Sequence, residues 1–234
     1  RLLGKHHPNT LVARANLALS HWQAGRSAEA VTSFEEVVAD TVRLFGDEHP
    51  NTLIARANLA ASYTRAGRTA DAITNLKKVV ADSARLLGDE HPDTLSARAN
   101  LANAYHEAGS TAEAIIIEEQ VVADRVRLLG SEHPDTLTVR GNLAASYWQA
   151  GRTAEAIIIE EQVVADQVRV LGGDHPHTLT ARANLAISYW QLGRTAEAMT
   201  TLTSVAADFA RLLGNQHPET VAVASALQAW QSEA

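Results

Sequence analysis

The placement of proline limits what this chain can become more than any other feature does. All six prolines follow a histidine, at Pro8, Pro50, Pro92, Pro134, Pro176 and Pro218, and each lies 42 residues after the last. Eleven of the thirteen glycines form a second ladder, from Gly4 and Gly25 through to Gly193 and Gly214, at a step of 21 residues. Punctuation at fixed steps of this size marks a stacked repeat architecture, in which each unit buries its apolar face only against its neighbours.

Between consecutive glycines every segment has the period of a helix. From Pro50 to Ala66, Leu53, Ala57, Ala60 and Tyr63 recur at spacings of three and four, which gathers them on one face. Proline suits the first helical turn, where its missing N–H is not needed, and Gly67 suits the left-handed residue that ends a helix. A partner helix is expected from Thr69, read as its N-cap, through Ala72, Leu76, Val79, Val80 and Leu87 to Gly88. The unit is therefore a helical hairpin. Ile115-Ile116-Ile117 and Ile157-Ile158-Ile159 are locally ambiguous with strand, and their helical context decides them.

The run Asn58-Leu59-Ala60-x-x-Tyr63, followed by Gly67-Arg68, Asp71-Ala72 and an apolar helix ending in Leu-Gly, resembles a tetratricopeptide repeat. With Gly-x-x-His-Pro-x-Thr between units, the 42-residue form is similar to the repeats of kinesin light chains and of many bacterial regulatory proteins. The resemblance implies an all-α, right-handed superhelical solenoid of antiparallel hairpins. In it the first helices line a concave groove, the second helices form the convex back, and proteins or peptides are bound without chemistry.

One repeat domain is expected over 1–234. It divides into the end of a preceding repeat at 1–4, five repeats at 5–46, 47–88, 89–130, 131–172 and 173–214, and a capping helix at 215–234. Arg1-Leu2-Leu3-Gly4 matches only the close of a second helix, as in Arg85-Leu86-Leu87-Gly88, so the chain reads as cut, or joined to another domain, at that end. In the last helix Ala224, Ala226, Gln228 and Gln231 stand where other repeats have Arg, Asn, Ala and Tyr, and the glutamines suit a terminal cap.

Five asparagines, Asn16, Asn58, Asn100, Asn142 and Asn184, recur mid-helix beside Ala15, Ala57, Ala99, Gly141 and Ala183. Asparagine is a mediocre helix former, so something offsets its cost there. The resemblance puts this face in the groove, where an amide that both donates and accepts can grip a peptide backbone. First helices roughly 10 Å apart match about three residues of extended chain. The same face offers Trp22, Arg65, Asn103, His106, Trp148 and Trp190 as peptide-binding residues, with Trp22, Trp148 and Trp190 at one equivalent position. Family members that clamp a terminal carboxylate use clustered Lys or Arg in the groove, and here only Arg65 is present, so an apolar or aromatic internal segment is the expected ligand.

Arg14, Arg56, Arg98, Arg140 and Arg182 are expected to pair across each hairpin with Asp40, Asp82, Asp124, Asp166 and Asp208, fixing its register. Glu118 and Glu160 replace Phe34, Leu76 and Leu202 of other repeats. A carboxylate there needs Arg98 or Arg140 as partner, or a local rotation that exposes it. Three successive isoleucines cannot all face inward, so some of Ile116, Ile117, Ile158 and Ile159 should form a convex apolar patch.

No cysteine is present, which rules out disulfides, cysteine-ligated zinc and a thiol nucleophile. A net charge of −7 argues against nucleic acid as a partner, and no apolar stretch approaches a membrane span. A cytoplasmic location follows. Six of the ten histidines belong to the His-Pro turns, about one helix spacing apart, too far to share a metal. With no phosphate loop or nucleophile elbow, neither cofactor nor enzyme activity is expected. Two functions remain: a protein- or peptide-binding scaffold using the groove, and a structural or regulatory solenoid that is autoinhibitory or self-associates through its N-terminal end or the isoleucine patch.

Overall fold

A computed structural model describes residue 4 and residues 7–233. Among these every regular element is an α-helix, and none is long and apolar enough to cross a membrane. The reading of Arg1-Leu2-Leu3 as the end of a preceding helix lies outside the described residues. The chain forms two compact units, one ending at Val121 and the other beginning at Val122. In the first, α1 (Pro8–Gln23), α2 (Ser27–Phe45), α3 (Pro50–Arg65), α4 (Thr69–Leu87) and α5 (Pro92–Glu107) each pack on the next, and α3 also touches α5. The helix α6 (Thr111–Leu129) carries the chain across the boundary. In the second, α7 (Pro134–Gln149), α8 (Thr153–Leu171), α9 (Pro176–Gln191), α10 (Thr195–Leu213) and α11 (Pro218–Glu233) pack in the same consecutive order.

The His-Pro pairs start the first helices by a mechanism beyond the proline. His49 is an extended N-cap whose Nδ1 accepts the backbone N–H of Asn51 at 3.1 Å, and His7, His91, His133, His175 and His217 do the same one repeat apart. An imidazole thus satisfies one of the orphan donors that a helix start leaves open. Two residues after five of the six prolines, from Pro50 onward, a threonine is buried, and Thr52 and Thr94 donate to the carbonyls of Gly46 and Gly88, each at 2.8 Å. This ties the new helix to the end of the old one.

The hairpin turns depend on Gly67, at φ +73°, while Gly88, at φ +97° and ψ 158°, closes α4 in a region that only glycine enters readily. Thr69 is not the cap expected of it. The N-cap is Arg68, which makes no capping bond because a guanidinium has no acceptor to offer a backbone N–H; it lies instead on Asp71 and the ring of Tyr63.

The core is built from small residues where helices cross and aliphatics between them. Ala18, Ala60, Ala102 and Ala186 on first helices and Ala30, Ala72, Ala114 and Ala198 on second helices are fully buried. Around them Phe34, Leu59 and Val31 form one cluster, Leu76, Leu101 and Ala104 another, and Ile157, Leu185 and Tyr189 a third. Gln228 and Gln231, the expected polar cap of α11, are exposed. Within the triple isoleucines Ile115 and Ile157 are buried, Ile117 packs on the core, and Ile116 and Ile158 are each 57% exposed.

Candidate functional site

The first helices present a face that the second helices do not cover. On it Asn16, Asn100, Asn103, Asn142 and Asn184 are exposed and Asn58 is half-buried. Large apolar side chains share the face, with Val12 and Ile54 more than half exposed. In the first unit two depressions open here, one of about 190 Å³ beside Val12, Ala15, Ile54 and Asn58, the other of about 160 Å³ beside Ala57, Asn58, Ser96 and Asn100. Asn58 borders both. In the second unit a depression of about 290 Å³ lies between α7 and α9, bordered by Gly141, Trp148, Gln149, Asn184 and Ile187. Its wall on the α8 side is Glu160.

The three equivalently placed tryptophans differ in what covers them. Trp22 lies under the guanidinium of Arg65, 4.8 Å from ring centre to carbon, so the one cation expected in the groove is engaged by a tryptophan of the neighbouring repeat. Trp190 stacks on Trp230 of α11 at 4.7 Å with 3° between planes. Trp148 is 37% exposed.

The arginine positions reach across their hairpins. Arg140 lies 2.6 Å from Asp166, Arg182 3.1 Å from Asp208 and Arg56 3.8 Å from Asp82, and Arg14 bonds Asp40, which favours the charged guanidinium. Most also bond elsewhere: Arg14 to Glu36, Arg56 to Asp47 and Arg140 to Gln162 and the Ser131 carbonyl. Arg98 reaches Asp89 in the preceding loop at 2.5 Å, and Asp124 holds Arg127 at 3.0 Å.

The expectation for Glu118 is corrected. It is 7% exposed, and its partner is His106 at 3.4 Å rather than Arg98 or Arg140, whose guanidinia are taken up by Asp89 and by Asp166. Among the described residues Glu160 has no such cation. Burial pushes its carboxyl above the usual range, eased by a hydrogen bond from the Ser188 hydroxyl, and its Oε2 is buried with no hydrogen-bond partner.

Tetratricopeptide repeat models match residues 16–83, 54–125, 136–177 and 178–219. The nearly identical TPR-like repeats of a Podosopora anserina protein of kinesin light chain type are 38% identical, with 88% of this chain and 97% of that one covered at a TM-score of 0.80. The chain belongs to the tetratricopeptide repeat family. At 20% identity, BtubC (BKLC) from P. vanneervenii shares the fold over 91% of this chain and 86% of its own, with a TM-score of 0.77. So does a Pyrococcus horikoshii signal transduction ATPase with a tetratricopeptide repeat sensor, at 16% identity over 92% of this chain and 31% of its own, with a TM-score of 0.73. No curated protein matches the chain.

Two features of these tetratricopeptide repeats escape a reading by composition. The first is a clamp between successive repeats, in which Tyr63 donates to Glu35 at 2.9 Å while Arg68 lies 4.2 Å over the tyrosine ring. Its signal is present in the 42-residue spacing, since Glu161, Tyr189 and Arg194 repeat it. The second is the carboxylate of Glu160, which comes to the first-helix face from a second helix. Among the described residues no group of three or more His, Asp or Glu is placed to hold a metal.

Proposed function

We propose that this chain is a non-enzymatic scaffold that binds proteins or extended peptides on its first-helix faces. The observation that carries this reading is the placement of Asn58 between two open depressions, with exposed apolar side chains on either side and Asn100 lining the second. A repeat that served packing alone has no use for an amide at this position, where it lowers helix propensity and bonds no core group. The net charge of −7 favours a protein partner over nucleic acid. Similar folds, 11–17% identical, include a Rap protein in complex with Competence and Sporulation Factor, a Rap regulator in complex with the Phr* peptide and PlcR in complex with PapR7 and DNA. Their peptide complexes are consistent with the same use here.

The test is selection of a random twelve-residue display library on the chain, followed by fluorescence anisotropy with an enriched peptide. Replacing Asn58 and Asn100 together by alanine should weaken binding about tenfold while the thermal melt is little changed. Unchanged affinity would remove the asparagine role.

A regulatory or self-associating solenoid is the second reading, and the exposure of Ile116 and Ile158 on second helices favours it. Each is 57% exposed, whereas Ile115 and Ile157 just before them are buried. Light scattering of Ile116→Ser and Ile158→Ser against the parent measures whether these surfaces associate.

A further inference from the structure

Most of the polar and aromatic surface of this chain recurs every 42 residues, so a side chain that breaks the recurrence is not demanded by the fold. Two such departures meet beside an uncovered tryptophan in the depression between α7 and α9. Gly141 stands where other repeats have Ala15, Ala57, Ala99 and Ala183, and a Cβ added there would find nothing within 4 Å. Glu160 stands where Phe34, Leu76 and Leu202 fill the core. Trp148 is the one tryptophan of its equivalent set against which, among the described residues, no ring or cation rests.

The charge in this depression is unbalanced. Glu118, the other carboxylate at this helical position, has His106 beside it, but the residue equivalent to His106 next to Glu160 is Trp148. Among the described residues no cation pairs with Glu160, one of whose oxygens is buried and unbonded. The chain also shows what a tryptophan in this position accepts, because Arg65 lays its guanidinium over Trp22. One repeat beyond Trp148 the counterpart of Arg65 is Gln191, so that cation is missing.

We propose that the depression between Trp148 and Glu160 receives the guanidinium of an arginine side chain from a bound extended peptide. A guanidinium is flat enough to stack on the indole and carries N–H donors in a fork that matches a carboxylate, which an ammonium does not. The open space over Gly141 gives the side chain room to enter, and the amides of Gln149 and Asn184 at the rim can meet the peptide backbone on either side. An arriving cation also relieves the cost of keeping a desolvated carboxylate ionised. Long-range attraction from the acidic chain acts in the same direction.

This inference rests on the peptide-binding reading and fails separately from it. The same twelve-residue library is selected on the parent, on Glu160→Gln and on Trp148→Ala, each checked by its thermal melt. The parent should enrich peptides with arginine at one position, and an enriched peptide should lose about tenfold in affinity when that arginine is replaced by citrulline, its neutral near-isostere. Glu160→Gln should bind both forms equally, and Trp148→Ala should lose the arginine preference. Peptides enriched without arginine, or an arginine preference that survives Glu160→Gln, would overturn the cation site and leave the groove intact. No enrichment at all would overturn both.

Discussion

Tyr189 on α9 donates its phenolic hydrogen to Glu161 on α8 at 2.8 Å, joining the first helix of one repeat to the second helix of the repeat before it. Arg194 closes the arrangement, 4.2 Å over the tyrosine ring and 3.3 Å from the same glutamate. Burial and the bond to Glu161 push the Tyr189 hydroxyl up to about 12, where an unfolded tyrosine ionises near 10. Between these values the folded state holds a proton that the unfolded state has released, so stability is fully present below about pH 10 and falls as pH rises through the window. Tyr189→Phe should cost about 1 kcal/mol at neutral pH and should flatten the alkaline loss. Urea unfolding measured from pH 7 to pH 11 checks both.

The same clamp is rewritten once within the first unit. Lys77 occupies the place of Glu35, lying 5.6 Å over the ring of Tyr105, and Ser110 occupies the place of Arg68. The two changes belong together, because an arginine at 110 would face the Lys77 ammonium. Ser110→Arg alone should therefore destabilise, while the pair Lys77→Glu and Ser110→Arg should recover a favourable coupling of about 0.5–1 kcal/mol. A double-mutant cycle of chemical denaturation reads that coupling, and additive single effects would break the link between the two positions.

What the sequence made legible was whatever depends on local backbone chemistry. Proline at a helix start and Gly67 at a helix end act within a turn of themselves, so the hairpins follow from their spacing. Outward-facing asparagines follow from the helical period. Apart from the arginine–aspartate pairs across hairpins, contacts that need an angle or a distance across helices were not legible. Trp230 falls where four of the other repeats have a serine such as Ser188 and the third has Ala104, so no periodic argument leads to its stack on Trp190. Glu118 finds His106 rather than an arginine because the arginines at that level are held by aspartates, and charge alone does not say which cation is free to turn. Thr69 looked like a cap because its type suits one, but the chain turns one residue earlier.

The histidine caps give a prediction that separates them from the prolines they precede. His91 accepts the N–H of Asp93 at 3.2 Å as the side-chain cap of α5. His91→Ala should cost about 1 kcal/mol, whereas His91→Asn, whose amide oxygen can take the same N–H, should cost only a few tenths. Thermal melts of the two variants rank them, and an alanine variant as stable as the parent would show that Pro92 alone starts the helix.

Glu160 trades stability for its place in the depression. Its carboxyl is raised by burial, so above the usual carboxylate range the folded state holds a proton more tightly than the unfolded chain does. Stability therefore falls as pH rises through that window, and at neutral pH the ionised group is a standing cost. Leu202 fills the equivalent position at 2% exposure, which shows that an aliphatic packs there. Glu160→Leu should then stabilise the chain by about 1–2 kcal/mol at pH 7, and the gain should shrink toward pH 4 as the parent's carboxyl becomes neutral. Melts of the two proteins across that range test the sign. A gain at neutral pH combined with loss of the arginine preference would place Glu160 among residues kept for binding at the expense of packing. A destabilised leucine variant would mean instead that Glu160 is tuned to the fold.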